Sequence, residues 1–136
     1  MIVDTSIVIR WFVPGLIHEE YCMAIKKLFE AGKIQLKVPE LVVYETCYEL
    51  NKLLSGPILS KLVSLAVDYL YHIAVRPEPD VFVKALDFFK KGYPLTPSLC
   101  LSMSTHSNET YITTDKELVK KAGSFANVKH ILDISF

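Results

Sequence analysis

The sequence predicts an α/β fold in which a mostly parallel central sheet is flanked by helices on both faces. Short apolar segments alternate with longer amphipathic ones from one end of the chain to the other, which is typical of strands joined by crossover helices. No internal repeat or linker divides the 136 residues, and this length suits one domain with one hydrophobic core. We therefore expect a single three-layer domain that spans residues 1–136.

Five apolar segments have the length and composition of strands. The first, residues 2–3, ends at Asp4 and passes directly into a helix over residues 5–12. The period-two alternation of residues 34–38 predicts a second, partly exposed strand. The remaining predicted strands are residues 73–75, 111–113 and 128–131.

The other helices follow from apolar residues at helical spacing, with proline or glycine near their ends. Thr96 and Pro97 are a good pair of N-cap and first helical residue, so they predict the start of a helix that runs to about Ser107. The remaining predicted helices are residues 18–31, 39–54, 58–71, a helix that begins at Pro79, and residues 116–122.

The composition limits the classes of protein to which the chain can belong. The formal net charge is zero, so local lysine clusters would have to hold any nucleic acid; pairs such as Lys120-Lys121 are candidates, although a solvated helix face is their more ordinary interpretation. The three cysteines are far apart and suit reduced, buried thiols. No apolar stretch approaches the roughly 20 residues of a membrane span. We expect a soluble, cytoplasmic protein without a membrane segment.

Two carboxylates occupy equivalent places in the chain. Asp4 and Asp115 each follow a short apolar strand and precede a helix, and parallel strands bring their carboxyl ends to one rim of the sheet. Hard oxygen ligands of this kind suit Mg²⁺ or Mn²⁺. The alternative is that each acid is an ordinary helix N-cap, and Thr114 with Glu117 also fits a capping box.

Glu45 is the third candidate ligand, within a predicted helix. The apolar stripe of that helix includes Val43, Cys47 and Leu50, and ideal geometry places Glu45 on the other side. Periodicity alone therefore predicts that Glu45 is exposed to solvent. No two of the four histidines have the spacing of a zinc site.

Together these residues resemble the PIN-domain ribonucleases, of the small kind found as VapC toxins. The resemblance covers nearly the whole chain and depends on residues 2–6 (Ile-Val-Asp-Thr-Ser), on Pro39 and Glu45 within a helix, and on residues 112–118 (Ile-Thr-Thr-Asp-Lys-Glu-Leu). It implies that Asp4, Glu45 and Asp115 are catalytic acids that bind Mg²⁺ or Mn²⁺ to cleave RNA. It also implies that Ser6 and Thr113 are supporting hydroxyls.

The chain departs from the family pattern at one position. The family usually has a further aspartate in the first turn of the helix before the last motif, and here that position falls on Ser98, within one residue. A site with one carboxylate fewer binds a divalent cation less tightly. Ser98 would then be a supporting residue of a weakened site, or part of a small-residue face for close packing.

Three hypotheses follow for the function. The first is a metal-dependent endoribonuclease, and the resemblance adds a role as the toxin of a toxin–antitoxin pair, with a small antitoxin protein as partner and a possible homodimer. The second is a weakened or inactive PIN-like module that binds RNA or protein. The third is an interaction domain in which the acids are only helix caps.

Overall fold

A computed structural model describes all residues, 1–136, and has an α/β architecture, as the sequence predicts. The fold has seven α-helices and five short strands. In chain order they are β1 (Ile2–Val3), α1 (Thr5–Phe12), α2 (Glu19–Glu30), β2 (Val38–Pro39), α3 (Glu40–Leu53), α4 (Pro57–Tyr71), β3 (Ala74–Val75), α5 (Pro79–Lys90), α6 (Leu95–Ser107), β4 (Tyr111–Thr113), α7 (Lys116–Ala122) and β5 (Val128–His130). No helix is long and apolar enough to cross a membrane.

All strand pairs are parallel. Strands β1, β4 and β5 form one sheet in the order β1-β4-β5, and β2 pairs with β3. A single bridge between Ile2 and Lys37 connects the two parts. Ile2 pairs with Tyr111 and Val3 with Ile112, so β1 and β4 end side by side. We call this edge of the sheet the carboxyl rim.

The two faces of the sheet are covered by different helices. Side chains alternate along a strand, so the paired residues Ile2 and Tyr111 project to one face. There they pack in a buried cluster with Cys100 and Leu101 of α6. Val3 and Ile112 project to the opposite face, into a cluster built mainly from α1, α2 and α3. Burial of both faces is the usual state of a parallel sheet and explains why these strands are apolar throughout.

The predicted element bounds are close to the observed ones, with two exceptions. The strand predicted over residues 34–38 is reduced to Val38 and Pro39, because its neighbours β1 and β3 are only two residues long. The predicted N-cap Thr96 is also wrong. Helix α6 begins at Leu95 with Pro94 as N-cap, which leaves Thr96 inside the first turn.

Glu109 forms ion pairs at the edge of the sheet opposite the carboxyl rim. Its carboxylate accepts hydrogen bonds from Lys37 Nζ at 2.7 Å and from the amino group of Met1 at 3.1 Å. Burial raises the pKa of Glu109, but these hydrogen bonds outweigh burial and lower the pKa to about 2. The pKa of Glu109 is lower in the folded protein than its value of about 4.3 in the unfolded chain. The ionised carboxylate therefore stabilises the fold fully at pH values above about 4.3, and this stabilisation is lost as the pH falls towards 2.

We expect Glu109→Gln to lower the free energy of unfolding by about 2 kcal/mol at pH 7, after allowance for partial exposure. The difference from the wild type should shrink as the pH falls from about 4 to about 2, where the wild-type carboxylate gains its proton. Urea unfolding at several pH values measures this. A difference that stays constant over this pH range would show that the ion pair has no part in the stability.

Candidate functional site

Asp4 lies buried at the end of β1 and is the N-cap of α1. Its Oδ1 accepts hydrogen bonds from the Ser6 amide (3.0 Å), the Ser6 hydroxyl (2.5 Å) and the Ile7 amide (3.4 Å). Its Oδ2 accepts from the Tyr111 hydroxyl at 2.5 Å and the Thr113 hydroxyl at 2.7 Å. Five donors thus surround one carboxylate. Capping of α1 uses only Oδ1, so Asp4 is more than a helix cap.

Ser6 and Thr113 connect the ends of β1 and β4 at the carboxyl rim. Their hydroxyl oxygens are 3.3 Å apart. Ser6 Oγ also accepts a hydrogen bond from the Thr114 amide at 3.1 Å, and Thr113 Oγ1 accepts one from the Asp115 amide at 3.2 Å. The two hydroxyls therefore hold Asp4 in place and fix the backbone that leads to Asp115.

Glu45 lies half-buried on α3 and faces α1. Its Oε1 accepts a hydrogen bond from Thr5 Oγ1 at 2.6 Å. The full exposure predicted from periodicity is wrong, because α1 packs against this side of α3 and leaves Glu45 only partly exposed. Beside Glu45 is a groove of about 310 Å³. It is lined by Thr5, Ser6, Ile9, Arg10, Glu45 and Glu49.

Asp115 is exposed and is the N-cap of α7, where its Oδ1 accepts a hydrogen bond from the Leu118 amide at 3.0 Å. The capping box predicted from Thr114 is therefore wrong by one residue. Asp115 borders a groove of about 350 Å³ between the start of α6 and α7. The groove is lined by Pro94, Pro97, Asp115, Glu117, Leu118, Lys120 and Lys121.

Ser98 is fully buried in the first turns of α6. Its hydroxyl donates to the carbonyls of Pro94 at 2.7 Å and Tyr93 at 3.2 Å. Pro97, one residue earlier, lines the groove with Asp115. The first turn of α6 thus presents a proline to the site, and it has no carboxylate.

Two residues near Asp4, Tyr111 and Cys100, were not identified as site residues from the sequence. Burial and then the charge of Asp4 raise the pKa of Tyr111 well above its ordinary value. Burial, followed by the charges of Asp4 and Glu45, does the same to the pKa of Cys100. The one sequence signal was the hydroxyl of Tyr111, a polar group in a strand buried on both faces, which requires a hydrogen-bond partner.

No three His, Cys, Asp or Glu side chains lie close enough together to hold a metal ion as they stand. The donors around the rim are nevertheless carboxylates and hydroxyls, the oxygen ligands that Mg²⁺ and Mn²⁺ prefer. One further hydroxyl oxygen, that of Thr96, is buried and has no hydrogen-bond partner. The chemistry of these donors therefore fits a hard divalent cation.

Known structures share this fold at low sequence identity. No curated protein sequence matches the chain. Among solved structures, FitAB bound to an IR36 DNA fragment contains a chain that is 13% identical, with a TM-score of 0.70 over 99% of this chain and 97% of that chain. VapC20 of Mycobacterium tuberculosis, described as a toxin that cleaves the sarcin-ricin loop, is 16% identical, with a TM-score of 0.65 over 93% and 97%. The model of the PIN domain family matches residues 1–124. The chain belongs to the PIN domain family.

Proposed function

We propose that this protein is a PIN-type endoribonuclease that uses Mg²⁺ or Mn²⁺ bound by Asp4, Glu45 and Asp115. The observation that carries the proposal is the buried Asp4 carboxylate, placed where β1, β4 and α1 meet. Burial of a carboxylate is costly unless it is closely hydrogen-bonded, and a helix cap does not require it. Glu45, in the middle of a helix, caps nothing.

The residues around the acids orient them. Ser6 and Thr113 donate hydrogen bonds to Asp4, and Thr5 donates one to Glu45, so that these hydroxyls fix the orientation of both carboxylates. A bound divalent cation would supply an activated water and neutralise charge on the phosphate. Because Asp4 already accepts five hydrogen bonds and α6 offers no acid, we expect weak cation binding.

Local positive charge next to the acids supports RNA as the substrate. Lys120 and Lys121 line the groove that Asp115 borders, and Arg10 lines the groove beside Glu45. Arg10 donates to the backbone carbonyls of Ser6 and Ile17 and forms no salt bridge with an acid. These cations would hold the phosphates on either side of the one that is cleaved.

A role as the toxin of a toxin–antitoxin pair is supported by the fold of one solved relative, which is described as a toxin. The partner would be a small antitoxin protein. A homodimer is also part of the proposal, and exposed aromatic side chains on α3, Tyr44 and Tyr48, offer an apolar surface for contact with a protein.

Glu45→Gln is the cleanest test of the ribonuclease. Gln keeps the oxygen that accepts from Thr5, so the fold should be unchanged while one charge is removed from the site. We expect Mn²⁺-dependent cleavage of a single-stranded RNA to fall at least roughly 100-fold, measured with purified protein and an EDTA control. Glu40→Gln serves as a matched control on the same helix, because Glu40 lies outside the groove beside Glu45, and it should cleave like the wild type.

A second candidate function is an RNA-binding PIN domain without catalysis. The proline at position 97 and the fully hydrogen-bonded Asp4 favour it. Equal background cleavage in the wild type and in Glu45→Gln, together with RNA binding that Lys120→Ala weakens, would establish this alternative in place of the nuclease.

A further inference from the structure

Thr96 has a buried side-chain oxygen without a partner. The residue is only 4% exposed, and its Oγ1 is the buried side-chain nitrogen or oxygen that makes no hydrogen bond in the protein. Other hydroxyls of α6 are satisfied by backbone carbonyls: Ser98 by Pro94, Ser102 by Val81 and Ser104 by Glu109. Because an unpaired buried hydroxyl is costly, its persistence at this one position requires an explanation.

The direction of Thr96 follows from the helix and the sheet. Helix α6 covers the face of the sheet from which Tyr111 projects, and Cys100 of α6 packs against Tyr111 there. Thr96 and Cys100 are four residues apart and share one side of the helix. Since α6 precedes the parallel strand β4 and runs opposite to it, its first turn lies towards the carboxyl rim. Thr96 is therefore one turn nearer to that rim than Cys100.

Asp4 projects towards the same side of the sheet. It is two residues after Ile2 in extended backbone, and its Oδ2 meets the hydroxyls of Tyr111 and Thr113. Thr96 thus lies in the turn of α6 nearest the carboxyl rim, on the side of the helix that it shares with Cys100. Pro97, the next residue, looks towards Asp115 and α7.

We propose that Thr96 Oγ1 is an additional oxygen ligand of the divalent cation, bound to the ion or to one of its coordinated waters. The inference depends on the proposed metal site and assigns it a residue that is neither an acid nor part of the resemblance. It explains the missing hydrogen bond, because the partner is the hydrated cation. It also gives the first turn of α6 a neutral oxygen where Pro97 provides none.

Thr96→Val tests the assignment, because valine has nearly the same shape and lacks the hydroxyl. We expect Mn²⁺ affinity, measured by electron paramagnetic resonance on the purified protein, to fall roughly 10-fold. Thr96→Ser should bind Mn²⁺ like the wild type. The matched control is Thr105→Val on the same helix, since the Thr105 hydroxyl bonds to the Leu101 carbonyl and lies away from the rim. It should leave Mn²⁺ affinity unchanged.

The melting temperature without metal separates this role from a structural one. A hydroxyl with no partner in the protein contributes nothing to the metal-free fold, so Thr96→Val should melt at the wild-type temperature or above it. Wild-type Mn²⁺ affinity in Thr96→Val, with weakened affinity in Glu45→Gln, would overturn the role of Thr96 alone. If the wild type binds no Mn²⁺ at all, both this inference and the proposed metal site are wrong.

Discussion

Asp4→Asn is expected to lower the free energy of unfolding by about 3 kcal/mol, the largest loss of stability among acid-to-amide changes at the three proposed ligands. The five donors around Asp4 all point towards acceptor positions of a carboxylate. An asparagine amide would replace one acceptor oxygen with an NH2 group that faces other donors. Whichever way the amide turns, buried donors such as the Tyr111 hydroxyl or the Ser6 amide lose their partner.

Thermal and urea unfolding of the metal-free protein measure this loss, which should lower the melting temperature by roughly 10 °C. Asp115→Asn is the matched control, because Asp115 is exposed and accepts only the Leu118 amide. An asparagine can keep that cap, so its cost should be below about 1 kcal/mol. Similar stability of the two variants would mean that the hydrogen bonds around Asp4 contribute little.

The fold class could be predicted because parallel strands that are buried on both faces are apolar throughout, and because proline or glycine lies near the ends of the helices. The short run at Ile2 and Val3 before Asp4 is one example, and α7 was bounded correctly by Asp115 and Gly123. The proximity of Asp4 to Ser6 and Thr113 was predictable for the same reason, since parallel strands end at one rim.

Glu45 and Ser98 show where the sequence was insufficient. The apolar stripe of α3 identifies its most buried side but not whether the opposite side meets another helix, and α1 packs there. To decide which residue of the first turn of α6 faces the site, the orientation of this helix about its axis must be known to within one residue. Residues 98–104 of that helix are all buried, so its hydrophobic pattern carries almost no phase information.

Pro97→Asp is expected to strengthen Mn²⁺ binding at least roughly 10-fold and to increase metal-dependent RNA cleavage. Pro97 faces the groove that Asp115 borders, so a carboxylate there adds negative charge next to an existing acid. The substitution suits the fold, because the first turn of a helix favours an acidic side chain. Titration with Mn²⁺ and the RNA cleavage assay measure the two effects.

Ser98→Asp differs from Pro97→Asp by one position and should have the opposite outcome. Ser98 is fully buried and its hydroxyl faces the carbonyls of Tyr93 and Pro94, so a carboxylate there would be buried without a donor. We expect a loss of roughly 3–5 kcal/mol in stability and no gain in Mn²⁺ affinity. A folded Ser98→Asp with stronger Mn²⁺ binding, beside an unchanged Pro97→Asp, would show that the first turn of α6 presents Ser98 to the cation instead. The pair of variants thus decides which residue occupies the position where the PIN domain family usually has its further aspartate.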